Sequence, residues 1–359
     1  MTPSVRLLPL TLLVILCTMP LPSSWGAMSM NHDRLMIGRF HRWMAVHNRS
    51  YPNAGEKLRR SEMYRRNMEY IEAMNMNGSL SYRLGENKFT GLSNEEFGAR
   101  YYGANFINDH GADVDDPIIT TLAGDVYERR GTMGYNVNAV IPENFDWRDK
   151  GAVTPAKEQN PCGSCWAFAA VEVLEDRNNI RNIELLGLFE QELVDCDNLD
   201  HGCHGGWPFR TFQWIKGKGG IPTESEYPYM AREQGYYRIE KSHVRVGKIT
   251  DIVRVPTDEQ LMLWIMLTTP VTIVINVGGR PLQHFANGIY TGPCGHKLNH
   301  AMAVVGYGVR VQEKDWIVKN SWGPTWGENG FILMGRGVGG ESGLCGIAMD
   351  VVYALIESY

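Results

Sequence analysis

Two cysteines stand three residues apart in the run Gln159-Asn160-Pro161-Cys162-Gly163-Ser164-Cys165-Trp166-Ala167-Phe168-Ala169. Such a pair can supply a nucleophile, a zinc site, a redox couple or plain structural thiols. An apolar helical pattern follows at Trp166, Phe168, Ala169, Val171, Val173 and Leu174, which puts Cys165 in the first turn of a buried helix. Unpaired N–H groups and the dipole there favour an anion, so the thiol is expected to ionise easily, and thiolate is the nucleophilic form of cysteine. Zinc would need a second ligand pair at suitable spacing, and none is evident. A thioredoxin-like couple would need a strand just before the motif, which is missing. The nucleophile and the structural reading both stay open on these eleven residues.

Two later segments change the balance. They are Asn299-His300-Ala301-Met302-Ala303-Val304-Val305-Gly306-Tyr307-Gly308 and Val318-Lys319-Asn320-Ser321-Trp322-Gly323. A lone His before an apolar strand is usually a core or capping residue. Three segments in this order, with these neighbours, resemble the papain-like cysteine proteases, in which His and Asn follow a Cys-Gly-Ser-Cys-Trp signature by about 130–150 residues. The resemblance covers nearly the whole chain after the leader.

The resemblance implies a cysteine-type endopeptidase without metal or organic cofactor. Cys165 would attack a peptide carbonyl as thiolate, and His300 would carry the partner charge and then protonate the leaving amine. Asn320 would fix the tautomer of His300, with Trp322 keeping water from that contact. Gln159 would donate to the oxyanion beside the Cys165 backbone N–H. Asn160-Pro161 replaces the usual Gly-Ser after this Gln. Cys203-His204-Gly205-Gly206-Trp207-Pro208 resembles the wall that binds extended substrate, where glycines allow close backbone approach. Read without the family, it is a tight turn. Trp326 joins the substrate-binding set by resemblance. Pro208, Val274 and Ala301 are expected to line the pocket for the second residue before the cut bond, with Asp350 at its base. Apolar lining favours Leu, Val or Phe there, and an acidic base would also admit Arg or Lys.

Of seven cysteines, Cys17 lies in the leader. If Cys165 is free, five remain, an odd number. The resemblance implies Cys162–Cys203 and Cys294–Cys345. The usual partner of Cys196 follows a Tyr-Pro-Tyr segment, but Gly235-Tyr236-Tyr237-Arg238 after Tyr227-Pro228-Tyr229 holds no cysteine. Cys196 is therefore expected to be a buried free thiol, and the missing disulfide to cost about 2–5 kcal/mol unless packing by Tyr236 or Tyr237 compensates.

The 359 residues are 43% hydrophobic, as suits a soluble globular chain, and the net charge of −5 argues against nucleic-acid binding. Residues 1–26 read as a secretory signal: Arg6, a short apolar core from Leu7 to Cys17, then Pro20 and Pro22. That run is too short to span a membrane comfortably, and an oxidising compartment permits disulfides. Residues 27–140 read as an inhibitory prosegment and cleavable linker. Glu56, Arg60, Tyr64, Asn67, Ile71 and Asn75 fall along one helix face. Their identities resemble the family's prosegment helix, with Tyr64 where Phe is usual. Gly85-Glu86-Asn87-Lys88-Phe89-Thr90-Gly91 resembles its second motif, with Gly91 where Asp is usual. Ser93-Asn94-Glu95-Glu96-Phe97 looks like a capped helix start. Asn48 and Asn77 are glycosylation candidates.

Ile141-Pro142-Glu143-Asn144-Phe145-Asp146-Trp147-Arg148 resembles the mature N-terminus, so residues 141–359 form the peptidase domain. Its helical half covers about 150–251, with helices from Cys165, Glu190 and Pro208, and Phe189 standing where a capping Ser is usual. Its β-rich half covers about 252–347, and the C-terminal segment returns. The expected class is α+β, a papain-like two-domain fold with the active-site cleft between the halves. Expected partners are extended polypeptide substrates, the chain's own prosegment and cystatin-type inhibitors. The chain is expected to be a monomer in the vacuole, lysosome or extracellular space. An inactive peptide-binding or storage homologue is the alternative.

Overall fold

The computed structural model describes residues 24–103, 140–182, 186–223, 228–234, 245–295 and 297–357. It divides into two compact units, Met1–Pro52 and Asn53–Tyr359. In the first, α1 (Ser24–Val46) packs Phe40 on Trp43 and Tyr51, with ring centroids 5.9 and 6.3 Å apart. Among the described residues no helix is long and apolar enough to cross a membrane.

The second unit opens with α2 (Ala54–Asn75), capped by Asn53, whose side chain accepts from Glu56 N at 2.9 Å. Its buried face carries Arg60, Tyr64, Asn67, Met68 and Ile71, the 3- and 4-residue spacing of a helix stripe. The polar members are zipped to the following loop. Arg60 meets Glu56, Glu96 and the Gly91 carbonyl at 2.7, 2.6 and 3.0 Å. Tyr64 donates its hydroxyl to Glu86 at 2.7 Å, a bond that Phe could not make. Asn67 Nδ2 donates to the Thr90 and Leu92 carbonyls, both at 2.8 Å. Next come β1 (Tyr82–Leu84) and α3 (Asn94–Tyr101), the latter begun by a Ser93/Glu96 capping box.

Beyond the linker, β2 (Phe145–Asp146) leads to α4 (Cys165–Asn182). This helix is buried from Cys165 to Asn178, because it lies inside the body rather than on it. Then come α5 (Glu190–Cys196) and α6 (Pro208–Lys218). Phe189 gives α5 no side-chain cap, and Pro208 starts α6 where its missing N–H costs nothing. Trp166, Val173 and Leu174 of α4, Leu193 of α5, and Phe212 and Ile215 of α6 share one core with Ala303 and Val352.

The remaining elements are β3 (Ile249–Val255), α7 (Glu259–Met266), β4 (Val271–Ile275), α8 (Arg280–Gln283), β5 (Phe285–Tyr290), β6 (His300–Arg310), β7 (Glu313–Lys319), β8 (Phe331–Gly335) and β9 (Val351–Ile356). The strands order as β1-β5-β8-β7-β6-β4-β9-β3, with β2 also on β6. The architecture is the expected α+β. Two joins matter below. The strand β1, from the front of the chain, extends the sheet by pairing with β5. At the other edge, β9 brings the C-terminus back between β4 and β3.

Candidate active site

The N-terminus of α4 meets the start of β6. Ala301 N donates to Cys165 Sγ at 3.4 Å, so His300 sits one residue from the group that holds the sulfur. At the end of β7 the chain turns to Asn320, whose Oδ1 faces His300 Nε2 at 2.9 Å. That oxygen only accepts, so Nε2 carries the proton and Nδ1 keeps its lone pair. Nδ1 has no hydrogen-bond partner among the described residues. Trp322 lies over the imidazole, with ring centroids 4.7 Å apart, and is 1% exposed. Trp326 is buried edge-on against Trp322 at 5.0 Å and donates to the Leu282 carbonyl. It thus braces the indole.

Gln159 is held by residues that the sequence reading missed. Ser321 Oγ donates to its Oε1 at 2.6 Å, which turns Nε2 toward the site. Asn160 takes φ 53°, the left-handed turn that Gly would otherwise supply, and Tyr229 donates its hydroxyl to the Gln159 carbonyl at 2.7 Å. Gln159 Nε2 donates to the carbonyls of Cys162 and Tyr101, at 2.7 and 3.1 Å. Tyr101 belongs to the front segment, and the Gly103 backbone also hydrogen-bonds the Cys165 sulfur. Residues 101–103 therefore cover the sulfur and engage the amide expected to serve the oxyanion.

In the intact chain burial works against the easy ionisation expected of this thiol. Burial pushes Cys165 up to about 11, against backbone hydrogen bonds that pull it down. Burial also pulls His300 down to about 4, against its bond to Asn320. Desolvation thus disfavours the charged form of both groups.

The front segment grips the body elsewhere too. Phe97 stands edge-on to Trp322 at 4.8 Å, with Phe89 packed behind Phe97 at the same distance. Lys88 pairs with Glu158 at 2.6 Å, and Asn87 donates to the Gln283 carbonyl at 2.8 Å. Arg280 donates to Asn67 Oδ1 at 3.0 Å. Asn75 exchanges two hydrogen bonds with Leu84, and Ile71 is buried.

Cys165, Ala169, Val274, Leu298 and Ala301 form one apolar cluster, with Trp207 packed against it. Cys162–Cys203 ties this wall to the loop before α4, and Cys294–Cys345 ties the β5–β6 connection to the segment before β9. Gly205 takes φ 116°. A Cβ at Gly206 would come within 2.6 Å of the Trp166 ring, so close packing alone requires glycine there. Pro208 is buried in the first turn of α6. Asp350 accepts a hydrogen bond from the Trp207 side chain, and burial raises it to about 6.

Cys165 and Cys196 are free, and Cys196 is half-buried rather than buried, because it ends α5 near the surface. Tyr236 and Tyr237 lie outside the described residues, as do Tyr227 and most of the 103–140 linker. Asn48 and Asn77 are exposed, and Asn77 Oδ1 accepts from Ser79 N and Oγ. No group of three or more His, Cys, Asp or Glu residues suited to a metal occurs among the described residues.

Comparison with known proteins accounts for this arrangement. Residues 141–355 match the papain family cysteine protease domain, and residues 40–97 match the cathepsin propeptide inhibitor domain (I29). Fruit bromelain of Ananas comosus is 37% identical over 97% of this chain and 94% of its own. Caricain of Carica papaya is 39% identical over 89% of this chain and 86% of its own. The solved recombinant stem bromelain precursor is 38% identical, covers 90% of this chain and 99% of its own, and superimposes with a TM-score of 0.77.

Proposed function

Since the chain belongs to the papain family of cysteine proteases and carries a propeptide inhibitor domain, we propose that it is a zymogen whose nucleophile is Cys165 and whose acid–base is His300. Residues 1–26 serve as a secretory leader, 27–140 as prosegment and linker, and 141–359 as the released peptidase. The compartment follows from that leader: vacuole, lysosome or extracellular space.

The observation that carries the roles is the orientation of His300. Asn320 occupies Nε2, which leaves the Nδ1 lone pair to take the thiol proton. The Cys165 thiolate then bonds to the peptide carbonyl carbon, and the C=O electron pair moves onto oxygen. Gln159 Nε2 and the Cys165 N–H donate to that oxygen. His300 returns its proton to the leaving nitrogen as the C–N bond breaks, and water, activated by the same ring, hydrolyses the thioester. The wall at Gly205 and Gly206 pairs with extended substrate, and the Val274–Ala301 cluster with Pro208 takes an apolar side chain two residues before the cut.

Residues 101–103 block this chemistry in the intact chain. They engage Gln159 and the sulfur, and they keep both partners dry and uncharged. Removing them rehydrates the pair and restores the helix N-terminal preference for thiolate.

An alkylating probe tests this reading. After acid processing, iodoacetamide is expected to label Cys165 rapidly near pH 6, and Cys165→Ser is expected to lose that label. The intact chain should react orders of magnitude more slowly at the same pH. Equal rates before and after processing would sink the blocking role, and label confined to Cys196 would sink the nucleophile.

A further inference from the structure

We propose that Tyr229 is a positioning residue for peptide cleavage: its single hydroxyl joins the backbone of Gln159 to the side chain of Ser164 and so fixes the spacing of the two oxyanion donors. This rests on the reading above that Gln159 Nε2 and the Cys165 N–H serve the oxyanion.

The hydrogen bonds have one possible direction. Tyr229 donates its hydroxyl to the Gln159 carbonyl at 2.7 Å, and a carbonyl can only accept. The phenol has one proton, so in its 2.7 Å contact with Ser164 Oγ the serine donates. The chain therefore runs from Ser164 through Tyr229 to Gln159, and each bond polarises the next. Burial pushes the Tyr229 phenol above its ordinary value, so its proton stays in place across the working pH range.

The two ends of this chain carry the two donors. Ser164 immediately precedes Cys165, and its carbonyl accepts from Ala167 N and Phe168 N at 2.9 and 3.2 Å. It thus caps α4, and its placement sets that of the Cys165 N–H. Gln159 lies across the loop that holds Pro161 and the left-handed Asn160. Ser321 fastens Gln159 to the sheet half, accepting from its N–H at 2.8 Å and donating to its Oε1 at 2.6 Å. Tyr229 ties the same residue to α4.

Tyr229 is itself held in place. Its ring stands edge-on to Phe168 of α4, with centroids 4.8 Å apart. The segment after it is stitched to α5, although Cys196 at the end of that helix is free. Gln191 accepts from Met230 N at 2.8 Å and donates to the Arg232 carbonyl at 2.9 Å, and Asp195 accepts from Gln234 N at 2.8 Å. Glu233 accepts from Cys203 N at 2.9 Å. Ala231 takes φ 54° within this segment, a left-handed conformation that a non-glycine residue keeps only where its surroundings enforce it. Hydrogen bonds thus supply the tether, and the hydroxyl that reaches Gln159 stands on a fixed base.

Loss of this bridge should be felt where both donors must meet one oxygen. It should not be felt where Cys165 reacts without forming an oxyanion. Alkylation by iodoacetamide is such a reaction: the sulfur–carbon bond forms as iodide leaves, and no charge builds on the carbonyl oxygen.

The test uses acid-processed enzyme from the full chain, with rates normalised to alkylatable Cys165. Tyr229→Phe, which keeps the ring against Phe168, is expected to lower kcat for peptide cleavage about tenfold with KM within about twofold, less than the roughly 10²–10³-fold that outright loss of a donor costs. Its iodoacetamide rate should match the parent. Ser164→Ala breaks the bridge from its other end and should lower kcat too, which decides the matter should Tyr229→Phe not fold. The two together should be no slower than Tyr229→Phe alone, because a single bridge is lost in each case. In a Gln159→Ala background, Tyr229→Phe should cost less than about twofold, since spacing is immaterial once one donor is gone. An unchanged kcat in Tyr229→Phe or Ser164→Ala, an equal fall in alkylation, or a full loss that persists in Gln159→Ala would each overturn the proposal. Gln159→Ala with an undiminished kcat would instead remove the oxyanion reading itself, and the proposal with it.

Discussion

Two buried polar clusters hang on the same helix, and they differ in what buries them. At the first turn of α4, Cys165 lies near His300 under residues 101–103, a cover that the proposed processing would remove. Two to three turns further on, Glu172, Glu175 and Asp176 face Lys319, Lys157, Thr154 and Glu190, with protein on every side. Lys157 pairs with Glu175 and Glu190 at 2.6 and 2.8 Å, while Lys319 bonds Thr154 at 2.7 Å and lies 3.7 Å from Glu172. Four carboxyl groups share two ammonium groups. Burial disfavours the charged form in both clusters: it raises Cys165, Glu172, Asp176 and Glu190, and lowers His300. On the proposed activation, the same physics would make a switch where the cover leaves and a fixed property where it cannot. Lys319 immediately precedes Asn320, so the permanent cluster also anchors the residue that orients His300.

If that division holds, changes at the removable end should alter rate and leave stability alone. Cys165→Ala is expected to lower peptide hydrolysis by a factor on the order of 10⁶, the scale on which loss of a covalent nucleophile acts. The unfolding temperature of the full chain should stay within about 2 °C, because one buried sulfur is lost from a site already lined by small residues. A large drop in unfolding temperature would show that the sulfur is a packing element and would erase the contrast.

A smaller rate effect is expected at Gln159. Gln159→Ala should cost about 2.7–4 kcal/mol of transition-state stabilisation, as loss of an oxyanion donor does. It should also loosen residues 101–103, because the same Nε2 donates to the Tyr101 carbonyl. Faster acid processing of the full chain, with slower turnover once processed, is the combined signature. Slower turnover with unchanged processing would mean that the Tyr101 contact does not help to hold the cover.

Much of this was legible in the residues, and the exceptions share a cause. The α4 helix, the strands from Val271, His300 and Phe331, and the capped start of α3 follow from local pattern and capping chemistry. The three motif segments also identified the residues that the structure gathers around His300. The burial that raises Cys165 was not legible, because it arises from tertiary packing around the start of α4. Ser321 and Tyr229, which fix Gln159, look like ordinary loop polar groups until tertiary contacts are seen. Glu172, Glu175 and Asp176 look like a solvated stripe, since carboxylates on a helix are usually exposed.

The permanent cluster offers the mildest test and the most direct one. Burial lifts Asp176 well above its ordinary value and also raises Glu172. A carboxyl group raised in this way is favoured in the folded state while it is protonated. Its contribution is complete below the unfolded pKa of about 4 and is lost as pH rises through the folded value. The folded chain should therefore lose stability between about pH 4 and neutrality on account of these groups. Asp176→Asn removes the titration and keeps the shape, so its unfolding temperature should match the parent near pH 4 and exceed it near pH 7. Each kcal/mol relieved is worth roughly 2–4 °C in a domain of this size. Activity after processing should change little, because Asp176 lies on α4 away from Cys165. An Asp176→Asn variant that is less stable than the parent at pH 7 would mean that Lys319 and the Thr154 backbone hold the carboxylate charged, and that burial at this end of α4 does not govern its state.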